Sequence, residues 1–67
     1  MTAHAHATAE EAALASYSHA AGAFVVRVEP IDPSRVDVIV DFATSHPMRC
    51  HCELTPEGWV EAGDIVE

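Results

Sequence analysis

Three short runs of this chain alternate apolar and polar residues with a period of two, and no other feature of its 67 residues constrains the fold as tightly. In Phe24-Val25-Val26-Arg27-Val28-Glu29 every even position is apolar, and the odd ones turn charged after Val25. Val36-Asp37-Val38-Ile39-Val40-Asp41-Phe42 repeats the pattern, as does Met48-Arg49-Cys50-His51-Cys52-Glu53-Leu54. Successive side chains of a strand point to opposite faces, so each run predicts a half-buried strand. Between the first two, Pro30-Ile31-Asp32-Pro33-Ser34 is turn chemistry, and prolines there would remove ladder donors from a central strand. Thr55-Pro56-Glu57-Gly58 suits a type I turn. It leads into a fourth short run, Trp59-Val60-Glu61-Ala62, which the last residues either extend or follow as an arm.

Before the strands the period is helical. Thr8-Ala9-Glu10-Glu11 fits a capping box, in which the Thr8 hydroxyl accepts from the Glu11 amide. The Ala-rich segment from there to Ala21 has high helix propensity. Glu10 and Glu11 suit the positive end of its dipole, His19 suits the negative end, and Gly22 can take a left-handed C-terminal position. The apolar stripe of Ala13, Leu14, Tyr17 and Ala21 is thin, so this helix depends on what it packs against. Residues 1–7, MTAHAHA, read as a flexible tail preceding a single domain over 8–67.

These elements predict class α+β: one N-terminal helix on an antiparallel meander of three or four strands. Cross-strand neighbours prefer opposite charges, which discriminates between registers. Val26 opposite Val38 would place Arg27 against Asp37, Glu29 against Arg35 and Val25 against Ile39. Val38 opposite Cys50 would place His51 against Asp37 and Glu53 against Arg35. The face toward the helix would then hold Phe24, Val26, Val28, Val36, Val38, Val40, Phe42, Met48, Cys50, Cys52 and Leu54.

A chain this short buries only roughly 60% of the surface its unfolded form exposes, so a metal or self-association has to be considered as a source of stability. Two cysteines are too few for a disulfide framework and suit a reducing cytoplasm, and the N-terminal residues lack the pattern of a secretory signal. No run approaches the roughly eighteen apolar residues of a membrane span. Eleven Asp and Glu stand against three arginines, Arg27, Arg35 and Arg49, and no lysine, for a net charge of -8. Phosphate backbones demand clustered cations, so direct nucleic-acid binding is not expected. Such a charge favours solubility and basic protein partners.

Cys50-His51-Cys52 suggests a metal centre at first sight. On a strand, however, Cys50 and Cys52 face the helix while His51 faces away beside Asp37, and three such side chains cannot close on one ion. The surviving metal reading takes Met48, Cys50 and Cys52 with His46 as a soft set for Cu(I) or Zn. Cysteine and methionine are also ordinary core residues, and core packing is the expectation, with no cofactor. In the tail, Thr2-Ala3-His4 would offer a square-planar Cu(II) or Ni(II) motif only after loss of Met1. Catalysis finds no support in a nucleophile elbow, a Cys–His pair or a glycine-rich phosphate loop.

The function expected from the sequence is therefore a small acidic, non-enzymatic protein-binding module: an inhibitor, adaptor or accessory subunit. Glu29, Asp37, Asp41, Glu53 and Glu57 would meet a basic partner surface, around a small apolar patch of Val25 and Ile39 and with Trp59 at the sheet's edge. Homodimerisation through a strand edge or the sheet face is a further expectation.

Overall fold

The computed structural model describes residues 5–18, 20, 22–43 and 46–67. One helix, α1 (Ala9–Ala15), precedes four strands: β1 (Phe24–Asp32), β2 (Arg35–Asp41), β3 (Met48–Thr55) and β4 (Gly58–Val66). The strands form one antiparallel sheet in the order β1-β2-β3-β4, so the fold is an α+β meander with a single helix on one face.

Thr8 caps α1 as expected, its Oγ1 accepting from the Glu11 amide at 3.1 Å. The helix is shorter than its composition predicts: it stops at Ala15, with Ser16 as C-cap. Tighter i to i+3 bonds follow, Tyr17 N to Leu14 O at 3.0 Å and Ser18 N to Ala15 O at 3.3 Å. Two causes act together. The Ser16 hydroxyl donates to Ala12 O, a local competition that weakens helices. Tyr17 turns toward the sheet, where its ring meets Phe42 edge-on at a centroid distance of 5.0 Å. His19 and Ala21, the expected last turn, lie outside the described residues. Gly22 does take a left-handed conformation (φ 73°).

Between β2 and β3 the register is the expected one: Val38 opposes Cys50, Asp37 opposes His51 and Arg35 opposes Glu53. Between β1 and β2 it differs by two residues. Val28, rather than Val26, opposes Val38; Arg27 opposes Ile39 and Glu29 opposes Asp37. The turn explains the shift. Pro30-Ile31-Asp32 is strand, and only Pro33 and Ser34 form the loop, because Asp32 Oδ1 accepts from both the Ser34 amide (2.9 Å) and its hydroxyl (3.0 Å). Pro30 is tolerated because β1 is an edge strand. Two bulges absorb the mismatch, leaving Val26 and Ile31 without ladder partners.

Under α1 the core consists of Ala9, Ala12, Ala13, Val38, Val40, Cys50 and Cys52, with Leu14, Tyr17, Val25, Val36, Phe42 and Trp59 packed around it. Alanines allow the helix backbone close to the sheet but cover little of it. Val28 and Leu54, expected inside, are accordingly exposed; Val26 (51%) leaves the ladder at a bulge, and Phe24 (52%), opposite Asp41, lies on the face away from the helix. Val25 takes the inward place predicted for Val26, since the bulge inverts the alternation there.

β4 runs on to Val66, so the C-terminal residues extend the fourth strand. Within the segment read as a tail, His6 exchanges two 2.8 Å backbone bonds with Trp59 in an antiparallel bridge. Gly58 makes this approach possible. Its φ is 133°, and a Cβ added there would lie 2.7 Å from the His6 carbonyl oxygen. Replacing Gly58 by Ala should therefore cost on the order of 1–3 kcal/mol in urea unfolding. Gly63→Ala, which meets nothing within 4 Å, should stay within about 0.5 kcal/mol of the parent.

Candidate functional site

The sheet face opposite α1 is organised in rows across the strands. One row is Arg27, Ile39, Arg49 and Ile65; the next is Glu29, Asp37, His51 and Gly63. Arg49 joins the rows. Its Nη1 donates to Glu29 Oε1 at 2.7 Å and Asp37 Oδ2 at 2.9 Å, while Nε donates to Glu67 Oε2 at 3.1 Å. Arg27 pairs with Glu29 and, at 3.0 Å, with Glu67. His51 Nδ1 lies 2.9 Å from Asp37 Oδ1. Ile39 sits between the two arginines in its row and is only 2% exposed, as expected beneath long aliphatic stems.

These contacts set the titration of the cluster. Burial alone would push the Asp37 carboxyl up, but the bonds from His51 and Arg49 outweigh it and hold the group below the ordinary aspartate value. Glu29 is held down chiefly by Arg49, then by Arg27. The Arg49 guanidinium is correspondingly pushed up by Glu29, Asp37 and Glu67. Two arginines and three carboxylates thus lie close to neutrality, and the face is internally satisfied.

The expected docking residues are dispersed by this geometry. Val25 and Ile39 form no patch: Val25 packs on the helix side, and Ile39 is buried on the other. Glu29 and Asp37 are already paired with arginine. Asp41 accepts from the Phe42 amide at 2.7 Å. Glu53 and Glu57 are exposed and form no ion pair among the described residues. Trp59 is half-buried against the core while its backbone holds His6. The hub role of Arg49 and the part played by Glu67 escaped the sequence reading, because both act diagonally across strands.

Cys50 and Cys52 are free thiols buried beneath α1. The Cys50 thiol points to the Tyr17 hydroxyl oxygen at 3.8 Å, and the Cys52 thiol to the Ala9 carbonyl at 3.6 Å. His51 is on the opposite face, and His46 is exposed. Among the described residues no three His, Cys, Asp or Glu side chains are grouped as metal ligands. Burial, then the neighbouring Cys50 and Glu61, push the Cys52 thiol up from 9.0 to about 12; burial also raises Cys50. Tyr17 is pushed up by burial and by its bonds to Asp64 and Cys50.

The charges divide by face. Arg27 and Arg49 lie in the outward rows, and Arg35, two residues from Asp37 on β2, points the same way. With no lysine in the chain, the helix side carries neither lysine nor arginine. It carries Glu10 and Glu11 on α1, and Glu61 and Asp64, which oppose Cys52 and Cys50 on the helix face of β4. No protein-family model, curated protein or solved structure matches this chain.

Two outcomes follow from these groups. Stability owed to Glu29 and Asp37 is present above the ordinary carboxylate range and lost as pH falls through their lowered folded values. Arg49→Met keeps the stem over Ile39 but removes the charge, and should move the acid-unfolding midpoint, followed by circular dichroism, to higher pH. At the alkaline end an unfolded Cys52 releases its proton while the folded one keeps it, so the urea midpoint should fall between pH 9.0 and about 12. Cys52→Val should flatten that decline.

Proposed function

We propose that this protein is an acidic, non-enzymatic protein-binding module, an inhibitor, adaptor or accessory subunit, whose helix side receives a basic surface of its partner. The observation that carries this reading is the segregation of charge. The network on the open sheet face uses Arg27, Arg49, Glu29, Asp37 and Glu67, which leaves one arginine, Arg35, against eight carboxylates in the rest of the chain. Glu10, Glu11, Glu61 and Asp64 supply the centre of the acidic side, with Glu57 in the β3–β4 turn. Asp41 and Glu53, two residues from Ile39 and His51, lie on the other face, and Trp59 is an aromatic neighbour on β4.

The reading assigns no catalysis because the reactive groups are kept apart. Both thiols are buried and held protonated, whereas His51 belongs to the opposite face and is committed to Asp37. Free buried thiols also support residence in a reducing compartment such as the cytoplasm. The phosphate backbone of a nucleic acid would meet carboxylates on the helix side, and on the sheet face, apart from Arg35, arginines already paired; a protein is therefore the proposed partner.

Attraction of this kind steers encounter and weakens as salt shortens the Debye length from about 10 Å at 0.1 M to about 3 Å at 1 M. An arginine-rich peptide should bind the immobilised chain at low ionic strength and lose affinity steeply as salt rises. The variant E10Q/E11Q/E61Q, altered only on exposed or half-buried carboxylates, should lose most of that binding with its fold intact. Retention of full affinity by this variant, or indifference to salt, counts against the proposal.

A further inference from the structure

A second surface lies at the other edge of the sheet. Of the seven large hydrophobics exposed among the described residues, four belong to β1: Phe24, Val26, Val28 and Ile31. Val26 (51% exposed) and Ile31 (57%) are the two bulge residues, so each bulge takes an apolar side chain out of the ladder and turns it to solvent. Bulges commonly re-aim side chains in this way, and an edge strand with exposed apolar side chains is a ready template for pairing with another chain.

We propose that a second copy of this chain docks antiparallel along β1, related by a two-fold axis at Val28. A proline within an edge strand keeps its ring-nitrogen side toward the open edge. Val28, two residues before Pro30 with no bulge between them, presents its own N–H and C=O in the same direction. Two copies meeting at Val28 can exchange that pair of bonds. Charge selects this register among its neighbours. An axis at Arg27 or at Glu29 sets like charges against each other, whereas an axis at Val28 puts each Arg27 opposite Glu29 of the other copy. Val26 then faces Pro30, and Val25 and Ile31 lie across from each other. The bulge on one side and Pro30 on the other stop the ladder, so side-chain contact supplies most of the interface.

The charge distribution argues for a copy of the same chain as occupant. β1 and β4 are the two outer strands, separated by three spacings of about 4.8 Å, or roughly 14 Å. A dimer through β1 keeps the acidic β4 surfaces of both copies at its far ends. They are then further apart than the Debye length of about 8 Å at physiological salt, so the net charge of -8 offers little resistance there. A basic partner finds no such advantage, because Arg27 and Arg35 lie on the β1 half of the molecule.

Sedimentation equilibrium over rising concentration tests the pairing. The mass should climb from 7.2 kDa toward twice that value, and amide exchange at Val28 should slow in the unaltered chain as dimer accumulates. Val26→Lys and Ile31→Lys change exposed side chains and should each raise the dissociation constant at least tenfold with an unchanged circular dichroism spectrum. A chain that stays monomeric overturns the proposal. So does a dimer in which the Val28 amide exchanges at the monomer's rate, or one that survives both substitutions. The basic-partner reading rests on the opposite side of the molecule and is unaffected by either result.

Discussion

A seven-residue helix is all that this chain lays across a four-stranded sheet, and most of the architecture follows from that shortage. Alanines bring α1 close to Val38, Val40, Cys50 and Cys52, which are fully enclosed, but on β1 only Val25 packs against that core. At 25 cal/mol or so per Å² of apolar area, a core of valines, thiols and methyl groups provides limited stabilisation. The uncovered face is held by other means. Arg49 spans from Glu29 on β1 through Asp37 on β2 to Glu67 beyond β4, so one guanidinium ties together segments that adjacent backbone ladders connect only pairwise.

The same shortage separates the two proposed interaction surfaces. Positive charge is drawn into the open-face network, where it neutralises its neighbours. The helix side is left with carboxylates alone as its charged groups, and the strand furthest from β4, β1, is left with exposed apolar side chains. Surface chemistry is thus divided by position in the sheet: acidic toward α1 and β4, paired on the open face, apolar along β1.

Much of this was legible from residue order. The period of two located β1, β2 and β3, the turn before Trp59 marked the start of β4, and opposite charges fixed the β2–β3 register because no bulge lies between Arg35 and Val40 on that side. The same rule misled for β1–β2. Glu29 finds its cation two strands away in Arg49 rather than directly across from it, while Asp32 and Ser34 close the turn later than the prolines suggest. Helix propensity likewise overran Ser16, where a side-chain bond and the demand on Tyr17 for tertiary contact ended α1 early. For the candidate site, sequence supplied the sign and size of the charge. Its division between faces required the register, because a one-residue change in alternation exchanges Val25 with Val26 and dissolves the patch expected with Ile39.

The borders of the sheet bear on how this protein behaves when crowded. Unprotected strands at both ends allow one molecule to add to the next without limit, which is the geometry of fibrils. Here one border is occupied at Trp59 by the His6 backbone, and the other offers one short ladder segment between a kink and a proline. The proposed pairing at β1 would use up that border in one step, and along β4 the His6 bridge covers the edge at Trp59.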